Sequence, residues 1–502
     1  MTGNFFARLA AVAEASADRA CLYLADGSEQ SYGALFETAG RYAAALTALG
    51  VAPGDRVVVQ VEKSPANLAL YLGTMQCGAV YVPLNSAYTL EEVSYFLGDA
   101  EPRVFVGAGT SADLEARFSD VKFLNLDAAG QGSMAAAAAA ASPSNVVAER
   151  DGADLAAIVY TSGTTGRSKG AMLSYDNLAS NAASLIEAWG WQQDDVLLHA
   201  LPIFHVHGLF IAMHCALTQG TPMIFLPKFE AAEALRWLGR ATVLMGVPTF
   251  YTRLLGEAAF TREAASHMRL FISGSAPLTP QTFEAFHERT GHHILERYGM
   301  SETIINSTNP LHGERVAGTV GYPLPGVEMR VTGAEGEPLA SGEIGMLEVR
   351  GPNVFSGYWR MPEKTAEEIR PDGYFITGDL GTQAEDGRIA IVGRGKDLVI
   401  SGGYNVYPKE VEGLLDELPG IVESAVIGVP HDDFGEAVVA VVVPDGADVS
   451  ADDIKTALAD TLARFKQPKA VINLPELPRN TMGKVQKNVL RDEYSGLFSQ
   501  TD

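Results

Sequence analysis

The 502-residue chain contains little cysteine and little positive charge, and it lacks any long apolar segment. Its three cysteines, Cys21, Cys77 and Cys215, have neither metal-ligand nor disulfide spacing, which predicts a reducing compartment such as the cytoplasm. Acidic residues outnumber basic ones by 61 to 37, and the net charge of −24 disfavours nucleic acid as a partner. No apolar run would span a bilayer and the N-terminus lacks a signal-peptide pattern, so we expect no membrane partner.

Hydrophobic residues make up 47% of the sequence and charged residues 20%, which is usual for a globular protein. A chain of this length exceeds what one core holds, so we expect at least two domains. Residues 56–61 and 79–84 are β-rich runs, and residues 65–77 between them carry apolar side chains at helical spacing. Strands separated by helices predict a parallel α/β sheet.

The sequence pattern changes in the last third of the chain. Residues 313–392 contain short β-rich runs broken by glycine and proline, which suggests a small distorted β-barrel or sheet. The predicted fold is α/β: an N-terminal domain (residues 1–394) of two α/β subdomains plus this barrel, then a smaller α+β C-terminal domain (residues 395–502). The alanine-rich tract at 135–141 has no large side chain to bury, so we expect a connector before the phosphate-loop strand, with a short exposed helix as the alternative.

A stretch rich in hydroxyl groups and glycine follows the β-rich residues 156–160. It reads Thr161-Ser162-Gly163-Thr164-Thr165-Gly166-Arg167-Ser168-Lys169. Glycines let the backbone approach a ligand and turn N–H groups towards an anion, and the lysine adds positive charge. The spacing is not that of a Walker P-loop, in which lysine directly follows the second glycine. The stretch therefore predicts a polyphosphate site of another kind, with an ordinary surface loop as the alternative.

Two further motifs carry groups that suit a nucleotide. In Tyr298-Gly299-Met300-Ser301-Glu302, an aromatic ring beside a glycine turn suits an adenine, and the carboxylate suits a hard cation such as Mg²⁺. In Thr377-Gly378-Asp379, a carboxylate after a turn suits two ribose hydroxyls. Each motif alone has the alternative of a structural loop.

Five motifs occur in one order: the phosphate loop, Tyr-Gly-Met-Ser-Glu, Thr-Gly-Asp, Gly-Arg-Gly-Lys-Asp at 393–397 and Pro-Arg-Asn-Thr-Met-Gly-Lys at 478–484. In this order the sequence resembles the adenylate-forming superfamily, which comprises acyl-CoA synthetases, luciferases and peptide-synthetase adenylation domains. The resemblance covers essentially the whole chain and is strongest to the malonate-activating acyl-CoA synthetases. It implies that the C-terminal domain is mobile and rotates between two half-reactions.

The resemblance implies ligands position by position. Residues 161–169 would bind the ATP phosphates, Glu302 and Thr165 would hold Mg²⁺, and Asp379 and Arg394 would hold the ribose. The other residues implied for the ATP site, mostly around the adenine, are Gly274, Ser275, Ala276, Glu296, Arg297, Tyr298, Gly299 and Ser301. The segment implied for coenzyme A is Ser401, Gly402, Gly403 and Tyr404, with Lys396 at the hinge.

The terminal motif implies the catalytic group, Lys484. In the implied mechanism a substrate carboxylate attacks the α-phosphate of ATP to give an acyl-adenylate and pyrophosphate, and the thiol of coenzyme A then displaces AMP. A cation between the two anions stabilises the first transition state. The alternative is a solvated lysine like Lys487. His205 matches the catalytic-site ring that gates the acyl pocket, and we do not expect it to act as a base, because an ionised carboxylate needs none.

Two residues indicate a small dicarboxylate substrate. His207 lies in Phe-His-Val-His-Gly at 204–208, and Arg253 lies in the segment that walls the acyl pocket of related ligases. An arginine facing an apolar pocket would be costly without a partner, which a second substrate carboxylate would supply. Ser275 and Met300 are further expected substrate contacts. The alternatives are that Arg253 faces solvent or a protein carboxylate and that His207 only packs.

The predicted function is the ATP-dependent ligation of malonate, and of methylmalonate, to coenzyme A. Oxalate is the nearest alternative acid, because oxalyl-CoA synthetases share a similar His-Val-His-Gly box, and a short- or medium-chain acid is next. Peptide-synthetase adenylation is disfavoured because we expect no carrier-protein segment, and a non-enzymatic nucleotide-binding regulator would lack Lys484 or Glu302. We also expect Lys484 to be a target of a protein lysine acetyltransferase, which would remove its charge.

Overall fold

The computed structural model describes residues 3–109, 111–161, 168–431, 433–458, 461–480 and 483–498. The first strands are β1 (Ala20–Leu24), β2 (Glu29–Ser31), β3 (Arg56–Gln60), β4 (Val80–Pro83), β5 (Val104–Gly107), β6 (Lys122–Asn125), β7 (Leu155–Thr161), β8 (Lys169–Ser174), β9 (Leu197–His199), β10 (Met223–Phe225), β11 (Val243–Gly246) and β12 (Leu270–Ser273). The later strands are β13 (Leu295–Tyr298), β14 (Ser307–Thr308), β15 (Tyr322–Pro323), β16 (Glu328–Thr332), β17 (Gly345–Arg350), β18 (Phe375–Gln383), β19 (Ile389–Arg394), β20 (Val399–Ser401), β21 (Tyr404–Val406), β22 (Ile421–His431), β23 (Gly435–Pro444) and β24 (Ala470–Asn473).

Helices connect most of these strands. They are α1 (Phe5–Ala15), α2 (Tyr32–Ala48), α3 (Pro65–Gln76), α4 (Leu90–Ala100), α5 (Ala112–Arg117), α6 (Ser133–Ala140), α7 (Tyr175–Ala188), α8 (Met213–Gln219), α9 (Ala231–Leu238), α10 (Pro248–Leu255), α11 (Pro280–Thr290), α12 (Pro362–Glu368), α13 (Pro408–Asp416), α14 (Ala451–Ala457) and α15 (Lys487–Tyr494). A π-helix covers His207–Ala212, and a 3₁₀ turn covers Gly395–Asp397.

Two sheets form the larger, N-terminal part. One has six strands in the order β6-β5-β3-β4-β7-β8, and the other has nine in the order β15-β14-β13-β12-β11-β9-β10-β1-β2. Their central strands are parallel, as the alternation of strands and helices predicts. The central strands are buried along their length because helices cover both faces, and one apolar core includes side chains from both sheets.

The larger sheet positions the site. Its strands β9, β11, β12 and β13 are neighbours and run parallel, so their carboxyl ends lie at one edge. The segments that follow those ends are residues 200–208, 247–255, 274–276 and 299–302, which carry most of the predicted acyl and adenine residues. Parallel topology thus gathers groups that are far apart in the sequence, at the edge where ligands of such sheets bind.

The rest of the chain forms two smaller sheets. Strands β16 to β19 make a four-stranded antiparallel sheet whose ladders carry register shifts, which is the distorted unit that the broken β-rich runs predict. In the C-terminal part, β22 and β23 form the long hairpin of a five-stranded sheet with separate apolar clusters on its two faces. The predicted domain boundary after Arg394 falls between the end of β19 and the start of β20.

The three cysteines are buried free thiols. Across the described ranges, no helix is both long enough and apolar enough to cross a bilayer.

The alanine-rich tract is a helix, α6, so the expectation of a connector was wrong. The tract starts after Met134, which lies in the first turn of α6 and is fully buried together with Ala138 one turn later. Two buried residues four positions apart give the helix one packed face. Because alanine has the highest intrinsic helix propensity, this single face is enough to keep the remaining alanines helical.

Met134→Ala should lower the free energy of unfolding by about 2–5 kcal/mol, because it removes the one large side chain that anchors α6. Ala139→Ser, at an exposed position of the same helix, is the matched control and should change it by less than about 0.5 kcal/mol. Urea unfolding followed by circular dichroism measures both variants. Equal midpoints for the two would contradict the packing of α6.

Candidate active site

Tyr298, Asp379 and Arg394 form one hydrogen-bonded cluster. Asp379 and Arg394 are Cα partners across the antiparallel ladder of β18 and β19, so the register places their side chains together. Nε of Arg394 lies 2.8 Å from Oδ1 of Asp379, and the hydroxyl of Tyr298 donates to Oδ2 at 2.5 Å. The structure thus brings together the residues predicted for the ribose and the adenine, and their nucleotide binding stays a prediction.

Lys484 lies beside this cluster, in the loop before α15. Solvent reaches its side chain, yet the surrounding protein excludes enough water that burial lowers the pKa of Lys484 to about 8. Among its charged neighbours, Arg394 and Lys396 lower this pKa further, whereas Asp379 raises it. The ammonium group therefore stands at the predicted ribose site, within the field of several charges.

The loop that carries Lys484 also approaches α10. A Cβ added to Gly483 would lie 3.3 Å from Oγ1 of Thr249, in the first turn of that helix. Gly483 has a φ of 75°, in the left-handed region that glycine adopts without strain. The C-terminal part therefore covers the carboxyl edge of the larger sheet and places Lys484 there.

Two neutral histidines lie under this loop. The backbone N–H of His207 donates to Nδ1 of His205 at 3.2 Å. Burial lowers the pKa of His205 to about 4, and the positive charges of Arg297 and Lys484 contribute. Burial also places the pKa of His207 well below its usual value. Nδ1 of His207 lies 3.2 Å from Oγ of Ser275, and its buried Nε2 has no hydrogen-bond partner among the described residues.

Arg297 places a buried cation next to these histidines. Its exposed fraction is 4%, and its guanidinium lies so close to Gly274 that an added Cβ there would be 2.5 Å from Cζ. Burial lowers the pKa of Arg297 to about 9, which still leaves it charged at neutral pH. Within the described part of the chain, its Nε and Nη2 have no hydrogen-bond partner. Arg297 was expected near the adenine, and the structure additionally brings its charge to the histidine pocket.

The turns around the pocket are strained or tightly packed. Ser275 has a φ of 69° and Ile304 has a φ of 56°, a region that costs energy for residues other than glycine. At Gly299 a Cβ would lie 1.9 Å from the backbone oxygen of Ile304, so only glycine fits. Ala276 and Met300, also expected in the site, are half-buried beside these turns. Such strain is typical of functional sites, where the surrounding structure imposes it.

Glu302 is buried, and burial raises the pKa of its carboxyl group. The hydroxyl of Tyr358 lies 3.1 Å from Oε1 of Glu302 and 2.7 Å from Oε2 of Glu368. Nζ of Lys169 lies 3.1 Å from Oε1 of Glu368 and 4.1 Å from the centroid of the Tyr358 ring. No motif spacing in the sequence marks Tyr358 or Glu368, so this pairing of Lys169 could not be foreseen.

The phosphate loop is described only at its ends. Residues 162–167, including the predicted metal ligand Thr165, lie outside the described ranges. At one end, Oγ1 of Thr161 donates to the backbone oxygen of Lys169 at 3.4 Å, and at the other the hydroxyl of Tyr95 donates to the backbone oxygen of Ser168 at 2.8 Å. The site of polyphosphate binding therefore stays a prediction.

Three more predicted residues have clear positions. Ser301 is half-buried, and Glu296 is buried with its pKa raised by burial to about 7, an effect that the charge of Lys409 reduces. Arg253 lies in the last turn of α10, one turn after Thr249, and is exposed. The alternative that Arg253 faces solvent therefore describes this structure, and its contact with a substrate stays a prediction.

The segment predicted for coenzyme A is a tight hairpin. Ser401 pairs with Tyr404, and Gly402 and Gly403 between them have φ values of 59° and 81°, as a two-residue hairpin loop with positive φ requires. Tyr404 is 61% exposed. Lys396, the predicted hinge, lies in the 3₁₀ turn at the start of the C-terminal part.

Residues 9–359 match the family described as AMP-binding enzyme, and residues 410–484 match the AMP-binding enzyme C-terminal domain. The chain belongs to the AMP-binding enzyme family. A malonate–CoA ligase of Arabidopsis thaliana is 35% identical, over 93% of this chain and 85% of that protein. A feruloyl-CoA synthase of an Amycolatopsis species is 34% identical, over 93% and 94%.

The solved structures include ATP-bound MatB from Rhodopseudomonas palustris, with a TM-score of 0.97 and 54% identity over 99% of this chain and 100% of that one. The apo structure of the same MatB has the same identity and coverage but a TM-score of 0.84. This AMP-binding enzyme therefore has the predicted fold class. Its overall arrangement is closer to the ATP-bound relative, in keeping with the position of Lys484 beside Arg394.

Because Lys484 is charged only below its pKa of about 8, the kcat/KM of adenylation should fall above about pH 8, by about tenfold per pH unit once the ammonium loses its proton. Pyrophosphate release, measured at low substrate concentration across this range, tests the prediction. Coenzyme A acylation from a supplied acyl-adenylate is the control and should lack this alkaline limb. A kcat/KM that stays constant to about pH 9.5 would contradict a charged Lys484 as the adenylating group.

Proposed function

We propose that this enzyme ligates malonate, and also methylmalonate, to coenzyme A with ATP through an acyl-adenylate. The observation that carries the proposal is the buried guanidinium of Arg297, whose Nε and Nη2, like Nε2 of His207, have no hydrogen-bond partner among the residues that the structure describes. A buried charge without a partner is costly, and an anionic substrate group would remove that cost. A dicarboxylate can present one carboxylate to Arg297 and the other to ATP. The similarity to a malonate–CoA ligase and to MatB supports this choice.

In the first half-reaction, one carboxylate oxygen of malonate attacks the α-phosphorus of ATP, and the bond to the bridging oxygen of pyrophosphate breaks. Both reactants are anions, so the approach is opposed by charge repulsion. Lys484 lies close enough to His205 and to the Asp379–Arg394 pair for their charges to interact, and there its ammonium group would contact both reactants. Electrostatic stabilisation of the charge that develops at the α-phosphate is the function we assign to it.

In the second half-reaction, the thiol sulfur of coenzyme A attacks the acyl carbon of malonyl-adenylate, the thiol gives up its proton, and AMP leaves. The hairpin from Ser401 to Tyr404 is the thiolation segment in this proposal. Its Tyr404 is exposed, and the ring contacts that of Phe465 within the C-terminal part. For the second half-reaction the C-terminal part would rotate about the turn that contains Lys396, as the resemblance implies.

Glu302 suits Mg²⁺ on chemical grounds. Its carboxylate offers the hard oxygen ligand that Mg²⁺ prefers, and Mg²⁺ usually takes one or two carboxylates together with substrate phosphates. The described residues contain no cluster of three or more His, Cys, Asp or Glu side chains suited to a metal. This fits Mg²⁺ held by one or two protein carboxylates and the substrate phosphates, and not a site made of protein ligands alone. When bound, Mg²⁺ would neutralise part of the polyphosphate charge. Thr165 is the second ligand that we propose.

Two cellular properties belong to the proposal. Acetylation of Lys484 by a protein lysine acetyltransferase would neutralise the charge needed for adenylation, and the side chain is exposed to a modifying enzyme. The buried free thiols suit a reducing compartment, the cytoplasm.

The function is tested by pyrophosphate release with acetate, oxalate, malonate, methylmalonate, succinate and octanoate. Malonate should give the highest kcat/KM, followed by methylmalonate. Arg297→Leu should lower kcat/KM for malonate by about 100-fold or more, because a substrate carboxylate would lose its partner. It should have a much smaller effect on acetate.

The matched control for this experiment is Arg262→Leu, which removes an exposed arginine of the same N-terminal part and should behave as the unmodified enzyme. A higher kcat/KM for octanoate or acetate than for malonate would contradict the proposed substrate. Equal losses for malonate and acetate in Arg297→Leu would contradict the proposed role of Arg297.

A further inference from the structure

Lys63 is a buried lysine that the chemistry above does not use. It lies between β3 and α3, its exposed fraction is 8%, and it has no carboxylate partner in the described part of the chain. Its Nζ lies 2.7 Å from Nδ1 of His199, 2.8 Å from the backbone oxygen of His199 and 4.3 Å from the centroid of the Phe225 ring. Burial lowers the pKa of Lys63 well below its usual value, and both an ammonium group and a neutral amine have enough N–H donors for the two contacts to His199.

The contacts of His199 define its tautomer. Nε2 of His199 lies 3.0 Å from the backbone oxygen of Gly208, and because a carbonyl only accepts, Nε2 must carry the hydrogen. The ring is fully buried, and burial together with the charge of Lys63 keeps the pKa of His199 well below its usual value. Nδ1 of the neutral ring is then the acceptor, and Lys63 is its donor.

The carbonyl that His199 contacts belongs to an unusual turn. The backbone oxygen of Gly208 also accepts the N–H of Met213, five residues later, within the π-helix His207–Ala212. The turn is held on its other side by Pro202, whose oxygen would lie 2.1 Å from a Cβ added to Gly208. Short π-helical segments are rare and occur often at functional sites. This one begins at His207, the buried ring that contacts Ser275.

The same contacts connect the two sheets of the N-terminal part. Lys63 follows β3 of the six-stranded sheet, whereas His199 is the last residue of β9 in the nine-stranded sheet. A path of hydrogen bonds therefore runs from one sheet, through Lys63 and His199, to the turn that presents His207. Nothing in the path requires Lys63 to touch a substrate.

We propose that Lys63 is a positioning residue for the acyl site. By donating to Nδ1 of His199, it selects the tautomer that donates to Gly208, and this holds the π-helical turn so that His207 faces Arg297 and the substrate. Without Lys63, Nδ1 of His199 could take the hydrogen, and Gly208 would lose its second donor. The expected effect on the binding of malonate rests on the proposed function. The tautomer of His199 does not depend on that function.

The kinetic test compares Lys63→Met with Lys122→Met, an exposed lysine in β6 of the same part. Lys63→Met should raise KM for malonate by about tenfold, the ratio that corresponds to one buried hydrogen bond. KM for ATP should stay within about twofold in both variants, because the path ends at the acyl site. An equal rise of both KM values in Lys63→Met would overturn the proposal, since a general structural effect would weaken both substrates.

A double-mutant cycle tests whether the effect passes through His207. In a His207→Ala background, Lys63→Met should change KM for malonate by less than about twofold, because the residue it positions is gone. The full tenfold effect in that background would overturn the proposal. If the unmodified enzyme does not use malonate, the proposed function fails, and the same cycle is run with the acid that best supports pyrophosphate release.

A third measurement needs no variant at Lys63. The ¹⁵N shifts of the His199 ring in the ¹⁵N-histidine-labelled full chain, assigned with His199→Asn, should be those of a neutral Nε2–H tautomer from about pH 6 to 8. A protonated ring, or an Nδ1–H tautomer, would overturn the proposal. This readout keeps the test decisive even where Lys63→Met fails to fold.

Discussion

The cleft depends on a buried guanidinium group whose Nε and Nη2 have no hydrogen-bond partner within the described ranges. Arg297 lies against Gly274, and its charge helps to lower the pKa values of the buried rings of His205 and His207. The chain as a whole carries a charge of −24, so its general field repels ATP and malonate. Anion binding must therefore come from cations held at fixed points by the fold. The cost of keeping such a cation unpaired is removed only when the correct anion arrives, and this links stability of the site to specificity.

The N-terminal and C-terminal parts supply different cations to the same cleft. The larger sheet holds Arg297 rigidly at a strand end, whereas Lys484 comes from a loop that reaches across to Thr249. A rigid cation suits recognition, because the acid must be bound in both half-reactions. The charge of Lys484 is needed only in the first half-reaction, and a cation carried by the separate C-terminal part suits that role. The Asp379–Arg394 pair lies close enough to Lys484 for its charges to change the pKa of that lysine.

Much of this arrangement could be predicted from the sequence, because it follows from the hydrophobic periodicity of the segments and from the order of the motifs. Local sequence patterns predict the alternating strands and helices and the antiparallel sheet. Parallel topology then brings together at one edge residues 200–208, 247–255 and 298–302.

The direction in which individual side chains point could not be predicted. Arg253 is exposed and Arg297 is buried, because Arg253 lies on the exposed side of α10, whereas Arg297 lies in the buried strand β13. The Lys169–Glu368 and Lys63–His199 pairs join residues over a hundred positions apart, without a local signal. The helix at α6 was missed because its anchor, Met134, precedes the alanines.

The most direct test is a crystal structure of the enzyme with malonyl-adenylate bound. We expect the free carboxylate of the malonyl group to lie within hydrogen-bond distance of Nε or Nη2 of Arg297, with Nε2 of His207 beside it. A free carboxylate that points to solvent or to Arg253 alone, with Arg297 still unpaired, would contradict the role of Arg297 in substrate recognition.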